Sequence, residues 1–193
     1  MCSQRLSNQL SKKELRTYFK SQISEFLQKE SVDELISKVS TQLEFFFKAQ
    51  KGTWGVFSPL KEEPPILSFL EKKQKQSDLV WVYPKVTDSD QGSMEFYLPE
   101  SFGLSHWGIN EPVKGKKMDK SLIQGMLIPG LGFNRRGQRL GRGKGFYDRY
   151  LQDFKGTKVG IGFGAQLVDN SFEANGWDVN MDYLITEKEV IKF

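Results

Sequence analysis

The sequence predicts an α/β domain built on a mainly parallel sheet. Two amphipathic helical segments open the chain, and short apolar runs of strand length follow, separated by further helical segments. Alternation of helices with short buried strands is typical of a parallel sheet that is covered on both faces. The chain of 193 residues has no internal repeat and no low-complexity linker, so we expect a single domain over residues 1–193.

The first fifty residues predict two helices. Ser11 and Glu14 form a capping box, in which each side chain binds a backbone N–H of the first turn, and Ser31 with Glu34 repeats the pattern. Apolar residues recur at helical spacing in both segments. We assign the three phenylalanines at 45–47 to the core rather than to stacking on a cofactor.

Short apolar runs predict the strands. In chain order they are 53–57, 79–83, 94–98, 122–128, 157–163 and 183–186. The run 79–83 is continuously apolar, as expected for a strand that is buried on both faces. Two prolines at 64–65 predict the start of a third helix, and the apolar stripe of 146–154 predicts a fourth.

Composition excludes several classes of protein. Hydrophobic residues make up 38% and charged residues 27% of the chain, with 15 Phe, 6 Tyr and 4 Trp, which does not fit a disordered chain. No apolar run approaches the roughly 20 residues of a membrane span, and the polar segment 1–11 does not resemble a signal peptide. One cysteine, Cys2, and one histidine, His106, allow neither an internal disulfide nor a Cys/His zinc site. We expect a cytoplasmic, monomeric protein that does not bind membranes.

Glycines and cations are concentrated in one short part of the chain. Within residues 125–164 lie 11 of the 18 glycines. Within residues 135–149 lie six cations, which are Arg135, Arg136, Arg139, Arg142, Lys144 and Arg149. The net charge of the whole chain is only +4, so this local concentration indicates more about function than the total does.

The order of elements around these residues predicts an anion site. The predicted strand at 122–128 precedes the glycine-rich loop 139–145, and the helix at 146–154 follows it. Ligands of open α/β sheets bind beyond the carboxyl ends of the strands, where such loops lie. Alternate glycines let the backbone N–H groups approach a ligand, and the cations and the helix N-terminus add positive charge. We therefore predict a binding site for an oligophosphate.

Other interpretations of the loop fit less well. A Walker A loop needs Ser or Thr after its lysine, whereas Gly145 follows Lys144. The dinucleotide fingerprint needs its third glycine one residue later than Gly145. A purely structural turn does not require six cations. Tails that bind nucleic acid also combine glycine, arginine and aromatic residues, but this loop lies between a strand and a helix.

Asp148, in the first turn of the predicted fourth helix, has two interpretations. A carboxylate beside bound phosphates is stable where Mg²⁺ lies between them, held by carboxylate and phosphate oxygens. Alternatively, Asp148 forms an ion pair with Arg149 or Arg142, or complements the positive end of the helix. Its position in the sequence does not decide between them.

The glycine-rich segment resembles the 5-formyltetrahydrofolate cyclo-ligase family. Residues 139–151 (RLGRGKGFYDRYL) are similar to the signature of that family almost residue for residue, and 129–133 (PGLGF) to its lead-in. Shorter likenesses at 12–16, 107–112 and 182–187 extend over nearly the whole chain. The long motif is specific, whereas the short ones would mean little alone.

The resemblance implies a fold, a reaction and two small-molecule substrates. The family has a three-layer α/β/α sandwich fold. Its members use ATP and Mg²⁺ to phosphorylate the formyl oxygen of 5-formyltetrahydrofolate. Nitrogen 10 then closes the ring, which gives 5,10-methenyltetrahydrofolate, ADP and phosphate. Phosphoryl transfer depends mainly on positioning and charge stabilisation, which this chain supplies without a Cys/His constellation.

The resemblance also implies roles for individual residues. Those expected to contact ATP are Lys12, Arg16, Arg139, Leu140, Gly141, Arg142, Gly143, Lys144, Gly145, Phe146 and Tyr147. Those expected to contact the folate are Phe57, Glu62, Arg142, Gly143, Lys144, Gly145 and Phe146. Arg142 and Lys144 are the expected catalytic residues. Asp148 and Asp182 match the magnesium ligands of the family, which favours the metal interpretation of Asp148.

The folate end departs from the family pattern. Glu63 and the prolines at 64–65 follow Glu62 where the family usually has Ile, an acid and Thr, so either glutamate is a candidate contact. Asn134 stands where an aspartate is usual, and Trp177 where a histidine is frequent. These departures concern the choice of substrate rather than the phosphate site.

Two alternative functions stay open. A protein that binds nucleic acid through the basic aromatic loop is disfavoured by the modest net charge and by the carboxylates near the loop. A relative that keeps the phosphate site but acts on another substrate is compatible with the departures at 62–65. We assign Trp107 to core packing rather than to stacking on the pterin, and His106 to the surface.

Overall fold

The computed structural model describes residues 10–76, 78–106, 108–169, 172 and 178–193. The α-helices assigned within these residues are α1 (Lys12–Lys29), α2 (Val32–Phe47), α3 (Leu67–Gln74) and α4 (Phe146–Leu151). The strands are β1 (Gly52–Gly55), β2 (Leu79–Asp88), β3 (Ser93–Leu104), β4 (Asn110–Lys117), β5 (Ile123–Pro129), β6 (Gly132–Asn134), β7 (Arg139–Leu140), β8 (Thr157–Ile161), β9 (Leu167–Val168), β10 (Tyr183–Ile185) and β11 (Val190–Lys192). None of the helices in these ranges is long and apolar enough to cross a membrane.

Eight of the described strands form one sheet, in the order β11-β10-β8-β5-β1-β2-β3-β4. Neighbours run parallel from β10 through β8, β5 and β1 to β2, and antiparallel at both ends of the sheet. This arrangement confirms the predicted mainly parallel sheet. Helices α2 and α3 pack on one face and α4 on the other, so the three layers implied by the family resemblance are present.

Aromatic residues fill the core between the sheet and α2. The ring of Phe47, at the end of α2, packs against Trp54 of β1 and Trp81 of β2, and all three are fully buried. Phe46 is partly buried against the same cluster, whereas Phe45 is 71% exposed. The core assignment was therefore wrong for Phe45, because it lies about 200° around the helix from Phe47.

Helix boundaries match the sequence signals in part. Ser11 and Glu14 form the predicted capping box at the start of α1. The second predicted box is wrong, because Ser31 makes no side-chain cap bond and Glu34 forms an ion pair with Lys38 instead. Helix α3 begins after the predicted prolines, and α4 ends at Leu151 rather than at residue 154.

A three-stranded sheet in the order β7-β6-β9 packs against α1 through a separate apolar cluster. Phe133 of β6 lies over the backbone of Gly160 and Gly162, where a Cβ atom would approach its ring within 2.6 and 2.8 Å. Apolar residues and glycines alternate over residues 159–163, and the contact with Phe133 explains why glycines occupy 160 and 162. Phe19 of α1 is fully buried against Gly132, so α1 and the segment after β5 pack as one unit.

Strands β2, β3 and β4 form an antiparallel extension of the sheet, which we call the β2–β4 ribbon. Pro84 lies inside β2 although it has no N–H to donate. The pairing of β1 with β2 ends at Gly55 and Val82, so on the β1 side of the strand residue 84 has no strand partner in the described ranges that would require an N–H. The pairing of β3 with β4 shifts register between Pro99 and Phe102. The sequence predicted only the first half of this ribbon.

Candidate active site

A cavity of about 360 Å³ lies at the carboxyl ends of β1 and β5. Three segments line it. The loop after β1 contributes Phe57, Ser58, Leu60 and Glu63, and the β2–β4 ribbon contributes Pro84, Val86, Met94, Ile109 and Glu111. The third segment contributes Pro129, Gly130, Arg139 and every residue from Gly141 to Asp148. Ligands of parallel α/β sheets bind at this position beyond the strand ends.

A hydrogen bond joins the first two of these segments. The Ser58 hydroxyl donates to the carbonyl oxygen of Asn110 at 2.7 Å, which ties the loop after β1 to the start of β4. Phe57 is buried and its neighbours on the cavity surface are largely apolar. A mostly apolar cavity with a few polar groups is the usual form of a small-molecule site.

Arg139 is a buried cation of the site, with a side chain that is only 4% exposed. Its Nη2 donates to Asp148 Oδ1 at 2.6 Å, and its Nη1 donates to the carbonyl oxygen of Pro129 at 3.1 Å. Arg139 Nε is buried without a hydrogen-bond partner in the described part of the chain. Asp148 thus pairs with Arg139, and not with either of the arginines considered from the sequence.

Arg142 is held by two acidic side chains. Its Nη2 lies 3.1 Å from Oε1 of both Glu62 and Glu63, and Glu63 Oε2 accepts a hydrogen bond from the backbone N–H of Leu60. Burial raises the pKa of the Glu63 carboxyl above its ordinary value, although the Leu60 N–H and the charge of Arg142 lower it. Burial also raises the pKa of Tyr147, and the Glu63 charge adds to this effect. Tyr147 therefore stays protonated at neutral pH and is a hydrogen-bond donor.

The glycine-rich loop also contacts α1. Arg16 Nε donates to the carbonyl oxygen of Gly141 at 3.0 Å. Gly143 has φ of +108°, a conformation that favours glycine, and a Cβ atom there would lie 3.4 Å from the Arg16 guanidinium carbon. Lys12, one turn earlier on α1, forms an ion pair of 2.7 Å with Asp178. The loop therefore lines the cavity and also contacts one cation of α1, Arg16, whereas Lys12 is engaged by Asp178.

Arg149 binds the glycine-rich loop to the turn between β2 and β3. Its Nε donates to the carbonyl oxygen of Gly92 at 3.1 Å, and its Nη2 donates to the carbonyl oxygen of Lys144. One guanidinium thus connects the turn between β2 and β3 to the glycine-rich loop. The sequence analysis assigned no site role to Arg149, because neither of its partners is indicated by a sequence motif.

Positive charge in the site comes mainly from side chains. Helix α4 has only six residues, Phe146–Leu151, so its dipole is weaker than that of the longer helix that the sequence predicted. The side-chain cations form two groups: Arg139, Arg142 and Lys144 line the cavity, and Lys12 and Arg16 lie on α1. An oligophosphate that follows the loop would meet cations from both groups.

Comparisons with known proteins agree with this geometry. The sequence matches the profile of the 5-formyltetrahydrofolate cyclo-ligase family over residues 8–187. The chain belongs to the 5-formyltetrahydrofolate cyclo-ligase family. This membership confirms the resemblance seen in the sequence, and it places the chain among the cyclo-ligase enzymes.

Individual relatives of the family span different shares of the chain. A 5-formyltetrahydrofolate cyclo-ligase of Mycoplasma pneumoniae is 29% identical over 136 residues, which are 70% of this chain and 73% of that protein. The 5-formyltetrahydrofolate cyclo-ligase of Mus musculus is 39% identical over 111 residues, which are 52% of this chain and 51% of the mouse protein. The NMR structure of Aquifex aeolicus 5,10-methenyltetrahydrofolate synthetase has a TM-score of 0.76 and 30% identity, over 94% of this chain and 92% of that chain.

The structure brings most of the predicted cyclo-ligase site residues together. Phe57, Arg139 and the residues from Gly141 to Tyr147 line the cavity, and Arg16 contacts the loop. Leu140 is buried in the apolar cluster beneath α1 and does not line the cavity. Of the two glutamates left open, Glu63 lines the cavity, whereas Glu62 is 45% exposed and contacts the outer side of Arg142.

The other sequence departures lie outside the cavity or outside the described ranges. Asn134 is fully buried, and its Oδ1 accepts hydrogen bonds from the backbone N–H groups of Arg136 and Gln138, so it stabilises the turn between β6 and β7. His106 is exposed. Trp107 and Trp177 lie outside the residues that the structure describes.

The two predicted magnesium carboxylates lie in different places. Asp148 is at the carboxyl end of β5, beside Arg139. Asp182 Oδ2 accepts a hydrogen bond from the backbone N–H of Lys158, which pairs with Met126, three residues before the end of β5. Three residues of a strand span about 10 Å, so the Asp182 carboxylate lies about 10 Å along the strand direction from the end of β5 where Asp148 lies. The two carboxylates are also separated across the sheet. No group of three or more His, Cys, Asp or Glu residues suited to a metal ion occurs in the described ranges.

Proposed function

We propose that this protein converts 5-formyltetrahydrofolate to 5,10-methenyltetrahydrofolate with ATP and Mg²⁺, and releases ADP and phosphate. One observation carries the proposal: the loop from Gly141 to Gly145 lines the cavity and also contacts Arg16 of α1. A folate in the cavity and a triphosphate along the α1 side would meet at this loop. The substrate named for the relatives supports the choice of folate.

The proposed first step transfers a phosphoryl group. The formyl oxygen of the folate attacks the γ-phosphorus of ATP, the bond from that phosphorus to the β,γ-bridging oxygen breaks, and ADP leaves. Arg142 and Lys144, both on the loop between the two substrates, would stabilise the charge on the transferred group. Arg139 is buried and held by Asp148 and Pro129, so its role is to fix the position of the start of α4 and to supply positive potential.

The proposed second step closes the ring. Nitrogen 10 attacks the carbon that bears the phosphorylated oxygen, the bond from that carbon to the oxygen breaks, and phosphate leaves with the oxygen and with the proton of nitrogen 10. Phosphorylation is needed because the oxygen of a formamide is a poor leaving group. The cavity holds the two nitrogens in the required orientation, and its apolar lining keeps water away from the activated carbon.

Asp148 is the residue of the cavity that suits Mg²⁺. A single carboxylate is enough where phosphate oxygens and water complete the coordination, so Asp148 would bind the ion together with ATP. When bound, Mg²⁺ neutralises charge on the phosphates. Asp182 remains a proposed ligand from the family resemblance, although its place in the structure fits a structural bond to β8 better.

An absorbance assay tests the proposal. The purified protein is mixed with 5-formyltetrahydrofolate, ATP and Mg²⁺, and the near-ultraviolet band of the methenyl product is followed, with ATP and Mg²⁺ each omitted in controls. We expect product only when both are present, and loss of turnover in Lys144→Ala and Arg142→Ala with an unchanged melting temperature. Product formation without ATP, or near wild-type turnover in both variants, would contradict the proposed mechanism.

A further inference from the structure

Glu111 is an acidic side chain of the cavity that lies within the short family likeness at 107–112, to which the sequence attached no role. It lies on β4, opposite Gly103 of β3, and it lines the cavity. Residues that are paired across antiparallel strands share one face of the sheet. The partner of Glu111 on β3 is a glycine, so β3 places no side chain directly beside the Glu111 carboxylate. The carboxylate of Glu111 is therefore partly buried but not covered by its neighbour on β3.

The other two carboxylates of the cavity are already engaged. Glu63 binds Arg142 through Oε1 and the Leu60 N–H through Oε2, and Asp148 binds Arg139. The backbone N–H of Val86 lies near Glu111 and lowers the pKa of its carboxyl. A carboxylate has about four acceptor positions, so Glu111 retains capacity for a ligand.

Glu111 has cations near it but no ion pair. The charges of Lys85 and His106 act on it electrostatically, and no described side chain forms a salt bridge with it. Burial is the strongest influence and raises the pKa of the Glu111 carboxyl, whereas the Val86 N–H and the two cations lower it. Donors from a ligand would favour the ionised form further.

The pterin of a reduced folate supplies matching donors. Its N3–H and its 2-amino group point in parallel from one edge of the ring, and a carboxylate accepts two such parallel N–H groups with both oxygens. The apolar side chains of Pro84, Val86 and Met94 lie on the same ribbon, and Phe57 lies across the cavity, so a flat ring has apolar contacts beside this carboxylate.

We propose that Glu111 is the residue that recognises the pterin, by accepting hydrogen bonds from N3–H and the 2-amino group. This inference rests on the proposed function, and it replaces Glu62 in that role. Glu63 then serves to orient Arg142 at the formyl end of the substrate, which fits its position between Arg142 and the loop after β1.

The test compares the binding of two ligands without ATP. Isothermal titration calorimetry measures the Kd of 5-formyltetrahydrofolate, and of its analogue with a methyl group in place of the 2-amino group, for wild type and Glu111→Gln. Glu100→Gln is the matched control, since Glu100 is an exposed glutamate on the same ribbon. We expect Glu111→Gln to weaken binding of the natural ligand at least about tenfold and that of the analogue less than about threefold, with no change in Glu100→Gln.

Three outcomes would overturn the inference. Natural-ligand affinity of Glu111→Gln within about twofold of wild type excludes the contact, and an equal loss for both ligands indicates general damage to the cavity. Wild-type turnover in the absorbance assay distinguishes these results from failure of the proposed function. A wild-type protein that binds no 5-formyltetrahydrofolate overturns both. Melting temperatures verify the fold, and Glu111→Asp, which retains the charge, takes the place of the glutamine variant should that variant unfold.

Discussion

Arg16 Nε donates a hydrogen bond of 3.0 Å to the carbonyl oxygen of Gly141, which lies 125 residues further along the chain. This bond connects the first helix to the glycine-rich loop. Helix α1 is itself fixed by Leu15, Phe19 and Ile23, which are buried against the segment after β5. The position of the loop therefore depends on the packing of α1, and α1 is part of the site although it lies far from it in the sequence.

Replacement of Arg16 by alanine should impair ATP binding specifically. The variant loses a charge beside the loop and a hydrogen bond from a charged donor, which together contribute about 1.5–3 kcal/mol. We expect the KM for ATP to rise at least about tenfold while the KM for the folate changes little. Steady-state kinetics with each substrate varied in turn measures both values.

Lys20→Ala is the matched control, because Lys20 is an exposed cation on the same helix, four residues after Arg16. It should leave both KM values within about twofold of wild type. A similar loss in the two variants would mean that the net charge of α1, and not the contact with Gly141, determines ATP affinity.

The sequence predicts well which loop lines the cavity, because local signals specify that loop. Glycine and arginine spacing marks the loop from Gly141 to Gly145. Lys12 and Arg16 share one side of α1 by their spacing, but only the family resemblance assigned them to the site. The parallel sheet follows from alternation of helices and buried strands. These features depend on residues that are close in sequence.

The side of the cavity where we propose that folate binds was less predictable. It is formed by the β2–β4 ribbon, in which β4 (Asn110–Lys117) contains four lysine or glutamate residues and no alternating apolar pattern. Because β4 has an exposed face and a lysine-rich edge, its sequence lacks the alternation of apolar and polar residues that predicts a strand. In β3 the register shift between Pro99 and Phe102 interrupts that alternation. Glu111 therefore reaches the cavity through long-range pairing; the short family likeness at 107–112 includes this residue but does not indicate its place in the cavity.

Replacement of Arg149 by lysine should disturb the loop without removing charge. A guanidinium donates to the carbonyl oxygens of Gly92 and Lys144 simultaneously, whereas an ammonium group does not have the same fork geometry. We expect the KM for ATP to rise by about threefold to tenfold and the melting temperature to fall by a few degrees. Arg136→Lys, at an exposed arginine in the nearby turn, should change neither. Wild-type kinetics in Arg149→Lys would show that this connection does not position the loop.

Replacement of Asp148 by asparagine should reduce stability as well as activity. The change leaves the buried guanidinium of Arg139 without its counter-charge, which costs about 2–4 kcal/mol in a partly buried pair. Urea unfolding in the absence of ATP and Mg²⁺ measures this cost. The double variant Arg139→Gln with Asp148→Asn should be more stable than the sum of the single changes indicates, because the two residues interact directly.

The same Asp148 variant tests the metal role separately. A titration of activity with Mg²⁺ should show an apparent affinity weakened by about tenfold, since one carboxylate ligand is lost. If the titration curve is unchanged while stability falls, Asp148 acts only as the partner of Arg139. Asp182→Asn provides the comparison, because the bond of Asp182 to Lys158 predicts a stability effect. A weakened Mg²⁺ titration in this variant would support the proposed ligand role of Asp182, and an unchanged titration would limit Asp182 to its bond with β8.

Replacement of Glu63 by glutamine should change how stability depends on pH. Burial raises the pKa of Glu63 above its ordinary value of 4.5, so between 4.5 and the raised value the folded state retains a proton that the unfolded chain has lost. In that window the unfolded state binds fewer protons, and the stability contributed by this group falls as pH rises, then levels off above the raised pKa.

The glutamine that replaces Glu63 in the variant does not titrate. The free energy of unfolding of Glu63→Gln minus that of wild type should therefore increase with pH, as measured by urea unfolding between about pH 4 and about pH 8. Arg142, Glu62 and the Leu60 N–H all act on Glu63, and a difference that instead decreases with pH would mean that the charge of Arg142 outweighs burial.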